Sequence, residues 1–380
     1  MKWRKRMYYN VGDTFTLLLD LDMGDGNGVK ITKPELFDPH ADILKGNRRA
    51  SSLQCRYIGR NDGYFPTVTL SKALRRVSPS FKVKIQFSAP KLKYDGCNLE
   101  EISDTYEDFE FVVNELHKKL HIMGVETTKD MLRYAQVVRC DYGKNIPTSI
   151  APSFIISHLS KSDIRKTLDA AKCTFRNDGL GVHFVATHFD LTLYDKFFEI
   201  NKANFCKNRS INPENAQNLD LSSIEHKNWL RFEVRLGNSD QIRKTLAKVG
   251  IELEELSLQQ LYCSDICRKV NCYYWDTLMN GRRALQLSQD SVKEIFKSFI
   301  AKDERPLKAL QIVGLIALLK EISIRELTYY TKGKTATIRD LLKKLKESPP
   351  DVLWLERELE SIKQIIMKNA IVTLKKGNIK

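Results

Sequence analysis

The sequence has few of the features that mark secreted, membrane-spanning or disordered chains. Its eight cysteines are scattered over 380 residues. Small secreted domains carry dense cysteines, so we interpret these as reduced thiols. The basic start is followed by Tyr8-Tyr9-Asn10, where a signal peptide requires an apolar stretch. The longest apolar run, residues 309–319, is shorter than the roughly 18 residues of a membrane span. We therefore expect a cytoplasmic protein that neither enters a membrane nor is secreted.

Acidic residues are too few to balance the basic ones. The chain has 47 Asp plus Glu against 62 Lys plus Arg, which gives a formal net charge of +15. Such an excess favours a polyanionic partner, nucleic acid before membrane. Residues 281–380 hold 21 basic and 12 acidic side chains, a net of +9. We therefore place a domain boundary near Gly281, between residues 1–280 and a basic, helical unit of residues 281–380.

The first 280 residues alternate strand and helix signals, and the clearest strands alternate apolar with polar residues. In the segment 230–236, for example, Arg231, Glu233 and Arg235 separate four apolar residues. Such alternation is typical of half-buried antiparallel strands. The fold class predicted is α+β, an antiparallel sheet with helices on its apolar face and an open polar face. The predicted strands are 15–22, 81–88, 137–142, 188–194 and 230–236, and the predicted helix is 108–123.

A weak internal repeat agrees with this fold. Residues 164–168 (IRKTL) recur as residues 242–246, and we expect each copy to open a helix after a strand with an Arg-x-acid pair. A pseudo-duplicated unit of the ferredoxin or RNA-recognition type would give this pattern. Chance similarity between two amphipathic helices would give it as well.

The polar face of the predicted sheet has two interpretations. A solvated sheet face normally mixes charges in this way. Alternatively, the face performs phosphoryl transfer: two carboxylates hold Mg²⁺ or Mn²⁺, cations hold flanking phosphates, and a tyrosine attacks the phosphorus. The tyrosine is Tyr194, which would need the metal or Lys196 to activate it, because a free phenol has a pKa near 10. The other members are Asp141, Asp190 and Glu233, and the cations Lys82, Lys84, Arg139, Arg231 and Arg235.

Several segments of this face resemble one known family. They are Leu193-Tyr194-Asp195-Lys196, Arg231-Phe232-Glu233-Val234-Arg235, Arg139-Cys140-Asp141, and a strand and turn, Ile85-Gln86-Phe87-Ser88-Ala89-Pro90-Lys91-Leu92-Lys93-Tyr94 with Gly96 and Asn98, in which Asp95 is one inserted residue. In their order along the chain they resemble the phage/plasmid replication proteins of the II/X family, the rolling-circle initiators of filamentous phages and related plasmids. The resemblance covers about residues 12 to 350.

The resemblance implies an origin-specific nuclease that nicks and rejoins one DNA strand in a bacterial host cell, assisted by the host helicase and polymerase. It implies a rolling-circle (RNA-recognition-like) nicking core and a C-terminal helix-turn-helix unit. Its nucleophile maps to Tyr194 and its acidic positions to Asp141 and Glu233. The His-hydrophobe-His metal motif of wider rolling-circle initiators is absent, so we expect His188 as the further metal ligand or phosphate contact.

The C-terminal unit has the pattern of a helix-turn-helix. Helices are predicted for residues 306–320, 323–330 and 335–347, with a turn at Lys332-Gly333-Lys334, and one more for residues 351–368. The second helix of the motif would enter the major groove. A small bundle with a solvated basic face is the alternative. The residues expected to contact DNA are Lys334, Arg339, Lys343 and Lys344.

Other reactive residues and functions remain open. Tyr94 is the second choice of nucleophile. His117 and His121, four apart on a helix, are interpreted as an ordinary helix edge. Cys263, Cys267 and Cys272 lack a matching second pair and are interpreted as buried thiols rather than a zinc site. The alternative functions are a non-catalytic, sequence-specific DNA-binding protein and a hydrolytic nuclease.

Overall fold

The described part of the chain alternates strands and helices. The structure is a computed structural model that describes residues 8–22, 28–38, 52–58, 63–73, 80–159, 168–176, 180–186, 189–207, 228–281, 296–297, 300, 305–321 and 353–371. The strands are β1 (Thr14–Asp20), β2 (Lys30–Ile31), β3 (Phe37–Asp38), β4 (Ser52–Tyr57), β5 (Thr67–Ala73), β6 (Ser80–Ser88), β7 (Val125–Glu126), β8 (Gln136–Pro147), β9 (Leu168–Arg176), β10 (Gly181–Ala186), β11 (Asp190–Asp195) and β12 (Trp229–Leu236). The helices are α1 (Ala89–Lys93), α2 (Tyr106–Ile122), α3 (Lys129–Arg133), α4 (Pro152–Leu159), α5 (Lys196–Lys207), α6 (Ser239–Lys248), α7 (Leu258–Leu261), α8 (Ser264–Gly281), α9 (Pro306–Glu321) and α10 (Leu353–Lys368).

Ten of these strands form one antiparallel sheet, as the alternation predicts. Their order is β3-β4-β5-β6-β1-β8-β12-β11-β10-β9, and every neighbouring pair is antiparallel. The first long strand lies inside the sheet: Leu17 of β1 is opposite Ile85 of β6 on one side and Val137 of β8 on the other. The α+β class with an antiparallel sheet is therefore confirmed.

The apolar face of the sheet carries the main core. In β6, Val83, Ile85 and Phe87 are buried, whereas Lys84 between them is exposed. Helices α2, α4, α6, α8 and α10 all contribute buried side chains to the same core cluster. Each fully buried Leu, Ile or Phe contributes about 1.5–3 kcal/mol, so the alternating pattern fixes which face of each strand turns inward.

The predicted helix 108–123 is present as α2, and residues at its two ends explain where it begins and ends. It begins at the N-cap Thr105, whose hydroxyl accepts from the Asp108 amide at 3.3 Å. It ends just before Gly124, which has a φ of 74°, a conformation that glycine adopts without steric cost. Phe109, Val112 and Leu116 face the core.

One helix contradicts the prediction that helices lie on the apolar face alone. Ile200 of α5 packs with Cys97, Leu99 and Trp229 in a second, smaller buried cluster. Trp229 is two residues from Arg231 in β12, so its side chain lies on the polar face. The start of α5 and the segment around Cys97–Leu99 therefore cover one end of the face that we expected to be open.

The internal repeat does not have the predicted structure in both copies. Residues 242–246 lie within α6, as expected, with Ile242 and Leu246 buried. In the other copy, Leu168 is the first residue of β9 rather than part of a helix, and residues 164–167 lie outside the described residues. The prediction of two equivalent helices is therefore wrong at Leu168, and the repeat gives no support to an internal duplication.

Two predicted helices of the C-terminal region are present. The apolar run 309–319 lies in α9, where Ala309, Ile312 and Val313 are buried. Within the described ranges, no helix combines the length and the apolarity that crossing a membrane requires. The predicted helix-turn-helix lies outside the described residues.

The second of these helices, α10, packs on the first part of the chain. Its Leu359, Ile362 and Ile366 belong to the main core cluster. Just after it, the Asn369 amide nitrogen donates to the Asn10 carbonyl at 2.7 Å. The predicted boundary near Gly281 stays a prediction, but this stretch of residues 281–380 is part of the sheet's core.

A substitution in α10 tests this packing. We expect Ile362→Ala to lower the free energy of unfolding by about 2–4 kcal/mol, because it opens a cavity in the shared core. Met367→Ala on the exposed side of the same helix should change it by less than about 0.5 kcal/mol. Denaturant unfolding followed by tryptophan fluorescence measures both. Equal, small effects would mean that α10 does not stabilise the sheet.

Candidate active site on the polar face of the sheet

Three neighbouring strands bring the predicted site residues together. Strand β12 lies between β8 and β11. Across these strands Tyr194 is opposite Arg231, and Arg235 is opposite Asp141. The alternation placed these side chains on one face, but it could not order the strands. We call the group of Asp13, Arg139, Asp141, Tyr194, Arg231, Glu233 and Arg235 the polar-face cluster.

Arg231 is the buried centre of the polar-face cluster, with 2 % of its surface exposed. Its Nη2 donates to Asp13 Oδ2 at 2.6 Å and its Nη1 donates to Asn145 Oδ1 at 3.0 Å. Its Nε lies 3.6 Å from Glu233 Oε2. Burial alone would lower the pKa of Arg231, but the charges of Asp13 and Glu233 raise it, so the guanidinium stays charged.

Gly143 makes room for this guanidinium. A Cβ at Gly143 would lie 2.0 Å from Nη2 and 2.3 Å from Cζ of Arg231. Strand β8 can therefore hold Arg231 against Asp13 because position 143 has no side chain.

Glu233 joins the arginines to the tyrosine. Its Oε1 accepts from Arg235 Nε at 2.7 Å, and its Oε2 accepts from the Tyr194 hydroxyl at 3.2 Å. Burial would raise the pKa of Glu233, but the charges of Arg235 and Arg231 outweigh burial and lower it to about 2. Glu233 is therefore ionised at neutral pH.

Asp141 has a single arginine partner. Arg139 donates to it twice, from Nε at 3.0 Å and from Nη2 at 2.8 Å. Burial and the nearby charge of Glu233 nevertheless raise the pKa of Asp141 to about 6, against the effect of Arg139. Asp141 is the member of the two-carboxylate pair that takes up a proton more readily.

Tyr194 is not activated in this arrangement. Only 9 % of its surface is exposed, and burial, with the charges of Glu199 and Glu233, raises its pKa well above 10. Lys196, the expected activating cation, lies over the ring at 5.5 Å from its centroid and donates to Glu199 at 2.7 Å. In this arrangement Lys196 pairs with Glu199, and its role in activating the hydroxyl stays a prediction.

The expectation of an open polar face is also wrong around the polar-face cluster. Asp141, Tyr194, Arg231 and Glu233 are all buried. Asn145, the partner of Arg231, donates to the carbonyls of Asn98 and Leu99, and α5 begins two residues after Tyr194. The side chains of Arg139 and Arg235 remain 35 % and 24 % exposed. The face therefore opens towards these two arginines.

The remaining predicted residues lie apart or outside the described residues. Lys82 pairs with Asp20, and Lys84 is exposed on β6; both share the face but lie two strands from Arg139. Asp190 lies 3.5 Å from the His183 ring. Tyr94 donates to the Glu101 carbonyl at 3.2 Å. The residues His188, Lys334, Arg339, Lys343 and Lys344 are outside the described part.

Sequence reasoning missed two members of the network. Asp13 precedes β1 and accepts from Ser88, Asn98 and Arg231; its partner Arg231 is 218 residues away, so no local pattern marks it. Asn145 was missed because β8 extends to Pro147, beyond the strand we predicted. Continuing the alternation of β8 to residue 145 would have placed Asn145 on the same face as Arg139 and Asp141.

The carboxylates of the polar-face cluster do not fit a divalent cation as they stand. Both oxygens of Asp141 accept from Arg139, and both oxygens of Glu233 accept from Arg235 or Tyr194. A metal would have to break these hydrogen bonds, and breaking an ion pair leaves the charge of the displaced partner uncompensated. Among the described residues no group of three or more His, Cys, Asp or Glu side chains is arranged to hold a metal. The Mg²⁺ or Mn²⁺ prediction stays a prediction.

The cysteines considered for zinc, and the histidine His117, have ordinary surroundings. Cys267 is buried, its pKa is raised by burial, and its sulfur accepts from Asn271 at 3.5 Å. Cys263 and Cys272 are half-buried free thiols beside the core. His117 contacts the Thr127 carbonyl at 3.0 Å at the edge of α2.

Comparisons of the chain with family models, with curated proteins and with solved structures found no match. The relation to the II/X family therefore stays a resemblance carried by the quoted residues. Within the described residues, the quoted segments contribute to one hydrogen-bonded network. Asn98 contacts Asp13 at 3.5 Å, Asp13 pairs with Arg231, and Glu233 lies beside Arg231 and accepts from Tyr194.

The raised pKa of Asp141 predicts a pH effect with a definite sign. Its folded pKa of about 6 lies above its usual 3.8, so the folded state binds this proton more tightly, and stability rises as the pH falls through 6. Between pH 7.5 and 5, in EDTA, wild type should gain about 1 kcal/mol relative to Asp141→Asn, which cannot titrate. Urea unfolding at both pH values measures this difference, and a constant difference would contradict the assignment.

The close approach of Gly143 to Arg231 predicts a second effect. Gly143→Ala should displace the guanidinium from Asp13 and lower the free energy of unfolding by about 3 kcal/mol, as expected when a buried ion pair breaks. The control is Gly314→Ala in α9, where a Cβ meets nothing within 4 Å, and where alanine should stabilise by up to about 1 kcal/mol. Denaturant unfolding of both variants is the measurement. A neutral Gly143→Ala would show that Arg231 does not depend on this space.

Proposed function

We propose that this protein is a rolling-circle replication initiator that nicks one DNA strand through a covalent link to Tyr194 and later rejoins it. The observation that carries the proposal is the hydrogen bond from the Tyr194 hydroxyl to Glu233, inside a cluster of arginines on one sheet face. Arginines are suited to phosphates because their planar donors match phosphate oxygens. The net charge of +15 agrees with a DNA partner, single-stranded at the nick and duplex at the origin.

The chemistry assigned to the protein's own residues is a transesterification. The Tyr194 oxygen forms a bond to phosphorus while the bond from phosphorus to the 3′ oxygen breaks. The phenol proton passes to water while ionised Glu233 accepts from the hydroxyl and orients it, and the 3′ oxygen leaves as a hydroxyl after taking a proton from water. The DNA then carries a 5′-phosphotyrosine and a free 3′-OH from which a host polymerase extends. The reverse attack by a 3′-OH frees Tyr194 and joins the strand.

This reaction requires a change from the arrangement described above. Tyr194 is buried under the start of α5, and its raised pKa keeps the phenol neutral. A DNA strand therefore has to displace the first turn of α5, which carries Lys196 and Ile200, before its phosphate reaches the hydroxyl. Arg231 and Arg235, whose charges already act to lower the pKa of Tyr194, would then stabilise the phenolate.

A non-catalytic, sequence-specific DNA-binding protein is the second candidate. The specific observation that favours it is that the carboxylates of the polar-face cluster are saturated by arginines and Tyr194 while the phenol is protonated. Such a protein would bind DNA with the same charges but would neither cut it nor become linked to it. The host helicase and polymerase, implied by the resemblance, would be partners of the initiator alone.

An adduct assay separates these candidates. We expect the protein to become linked to labelled single-stranded fragments of the DNA element that encodes it, with the label resistant to SDS. The assay is run with Mg²⁺, with Mn²⁺ and with EDTA. Tyr194→Phe should reduce linkage by on the order of 10³-fold or more, as for loss of a covalent nucleophile, and should leave DNA binding unchanged.

The matched control is Tyr94→Phe, which also removes one hydroxyl near the site. The Tyr94→Phe variant should still become linked to DNA. If this variant fails to form the link and Tyr194→Phe still forms it, Tyr94 is the nucleophile. Cleavage without a label on the protein would indicate the hydrolytic nuclease. Binding of the fragments with neither cleavage nor linkage would establish the non-catalytic candidate.

A further inference from the structure

The exposed end of the polar face carries two arginines, each fixed by one carboxylate. Arg139 holds Asp141 through Nε and Nη2. Arg235 holds Glu233 through Nε. The strand register places Arg235 directly opposite Asp141, so the two guanidinium groups are neighbours across β8 and β12. They bracket the Asp141 carboxylate from its own strand and from the next.

These contacts use only part of each guanidinium. A guanidinium has five N–H donors. Nη1 of Arg139 and both terminal nitrogens of Arg235 have no hydrogen-bond partner within the described part of the chain, and both side chains are partly exposed. The Nε edge of each arginine is therefore held, while its terminal donors have room for a ligand as far as the described residues show.

The same contacts define what the carboxylates do. Both oxygens of buried Asp141 accept hydrogen bonds from Arg139, and those of buried Glu233 accept from Arg235 and Tyr194. Asp13, Asp141 and Glu233 balance Arg139, Arg231 and Arg235 in formal charge, so a dication placed among them would leave an excess of two positive charges in a buried site. An anion can bind to the exposed Arg139 and Arg235 without breaking their ion pairs with Asp141 and Glu233.

We propose that Arg139 and Arg235 bind a phosphate of a single DNA strand directly, and that Asp141 and Glu233 are positioning residues that hold these arginines rather than ligands of a divalent cation. The proposal rests on the proposed function for the identity of the phosphate carrier. Two neighbouring guanidinium groups with fixed edges match a phosphodiester because each presents planar donors to its oxygens.

The test is binding of a fluorescein-labelled dT12 oligonucleotide, measured by anisotropy in EDTA and in Mg²⁺ at matched ionic strength. Wild type should bind in EDTA, and Mg²⁺ should change the dissociation constant by less than about twofold, because no metal site is involved. A requirement for Mg²⁺ would overturn the proposal. Inorganic phosphate at the same concentration as dT12 should not displace the oligonucleotide. Displacement would mean that the site binds free phosphate instead of a DNA strand.

Substitutions identify the arginines. Arg139→Gln and Arg235→Gln should each weaken binding about tenfold or more, the loss of charge-assisted hydrogen bonds. The matched control is Arg268→Gln, an exposed arginine of α8 that pairs with Asp265 and lies in the helical layer. If Arg268→Gln weakens binding as much as the others, the effect is general charge, and the proposal fails.

Two further variants test positioning. Asp141→Asn removes a negative charge, so simple electrostatics predicts tighter binding of DNA; a positioning role predicts weaker binding, because Arg139 loses its bidentate partner. Arg235→Lys keeps the charge but loses the planar fork, and should still weaken binding several-fold. Thermal unfolding of each variant shows whether it is folded, and tighter binding by a folded Asp141→Asn would refute the positioning role.

These measurements are independent of cleavage. If Tyr194 forms no adduct while binding still depends on Arg139 and Arg235, the proposed function fails and the arginine site stands. If adducts form but binding does not depend on these arginines, the arginine site fails and the proposed function stands.

Discussion

The buried guanidinium of Arg231 is the interaction on which the site depends. A charge that is almost fully removed from water is tolerated only when partners replace its hydration. Arg231 finds them in Asp13, from the segment before β1, in Asn145 of β8, and in Glu233 of its own strand. One side chain thereby fixes the relative positions of two strands, β8 and β12, and of the segment that leads into β1.

The rest of the polar face follows from this constraint. Because Arg231 and Arg235 both act on Glu233, that carboxylate stays ionised and can accept from Tyr194. Burial and the negative charge on Glu233 in turn raise the pKa of Asp141, against the charges of Arg139 and Arg235. The polar-face cluster is therefore a coupled system in which a change at one residue alters the protonation of its neighbours.

The sequence predicted the parts of this arrangement that depend on local pattern. The period of two in β6, β11 and β12 identified these strands and placed Tyr194, Arg231 and Glu233 on the polar sides of their strands, because residues two apart in a strand share a face. It could not show that β12 lies between β8 and β11, since alternation carries no information about neighbours. It also missed the cover over the face, because nothing local to Ile200 reveals that its partner is Trp229, and it missed Asp13 for the same reason.

The two ends of the described chain meet beside β8. Lys144 is fully buried, and its ammonium group donates to Glu101 and to the carbonyl of Ala370 at 2.7 Å. Asn10 and Asn369 are bonded to each other through both backbone and side chain. During synthesis, β8 leaves the ribosome more than two hundred residues before Ala370 does. Until that later segment arrives, the Lys144 ammonium lacks one of its acceptors, so the packing around Lys144 is completed only after residue 370 has been made.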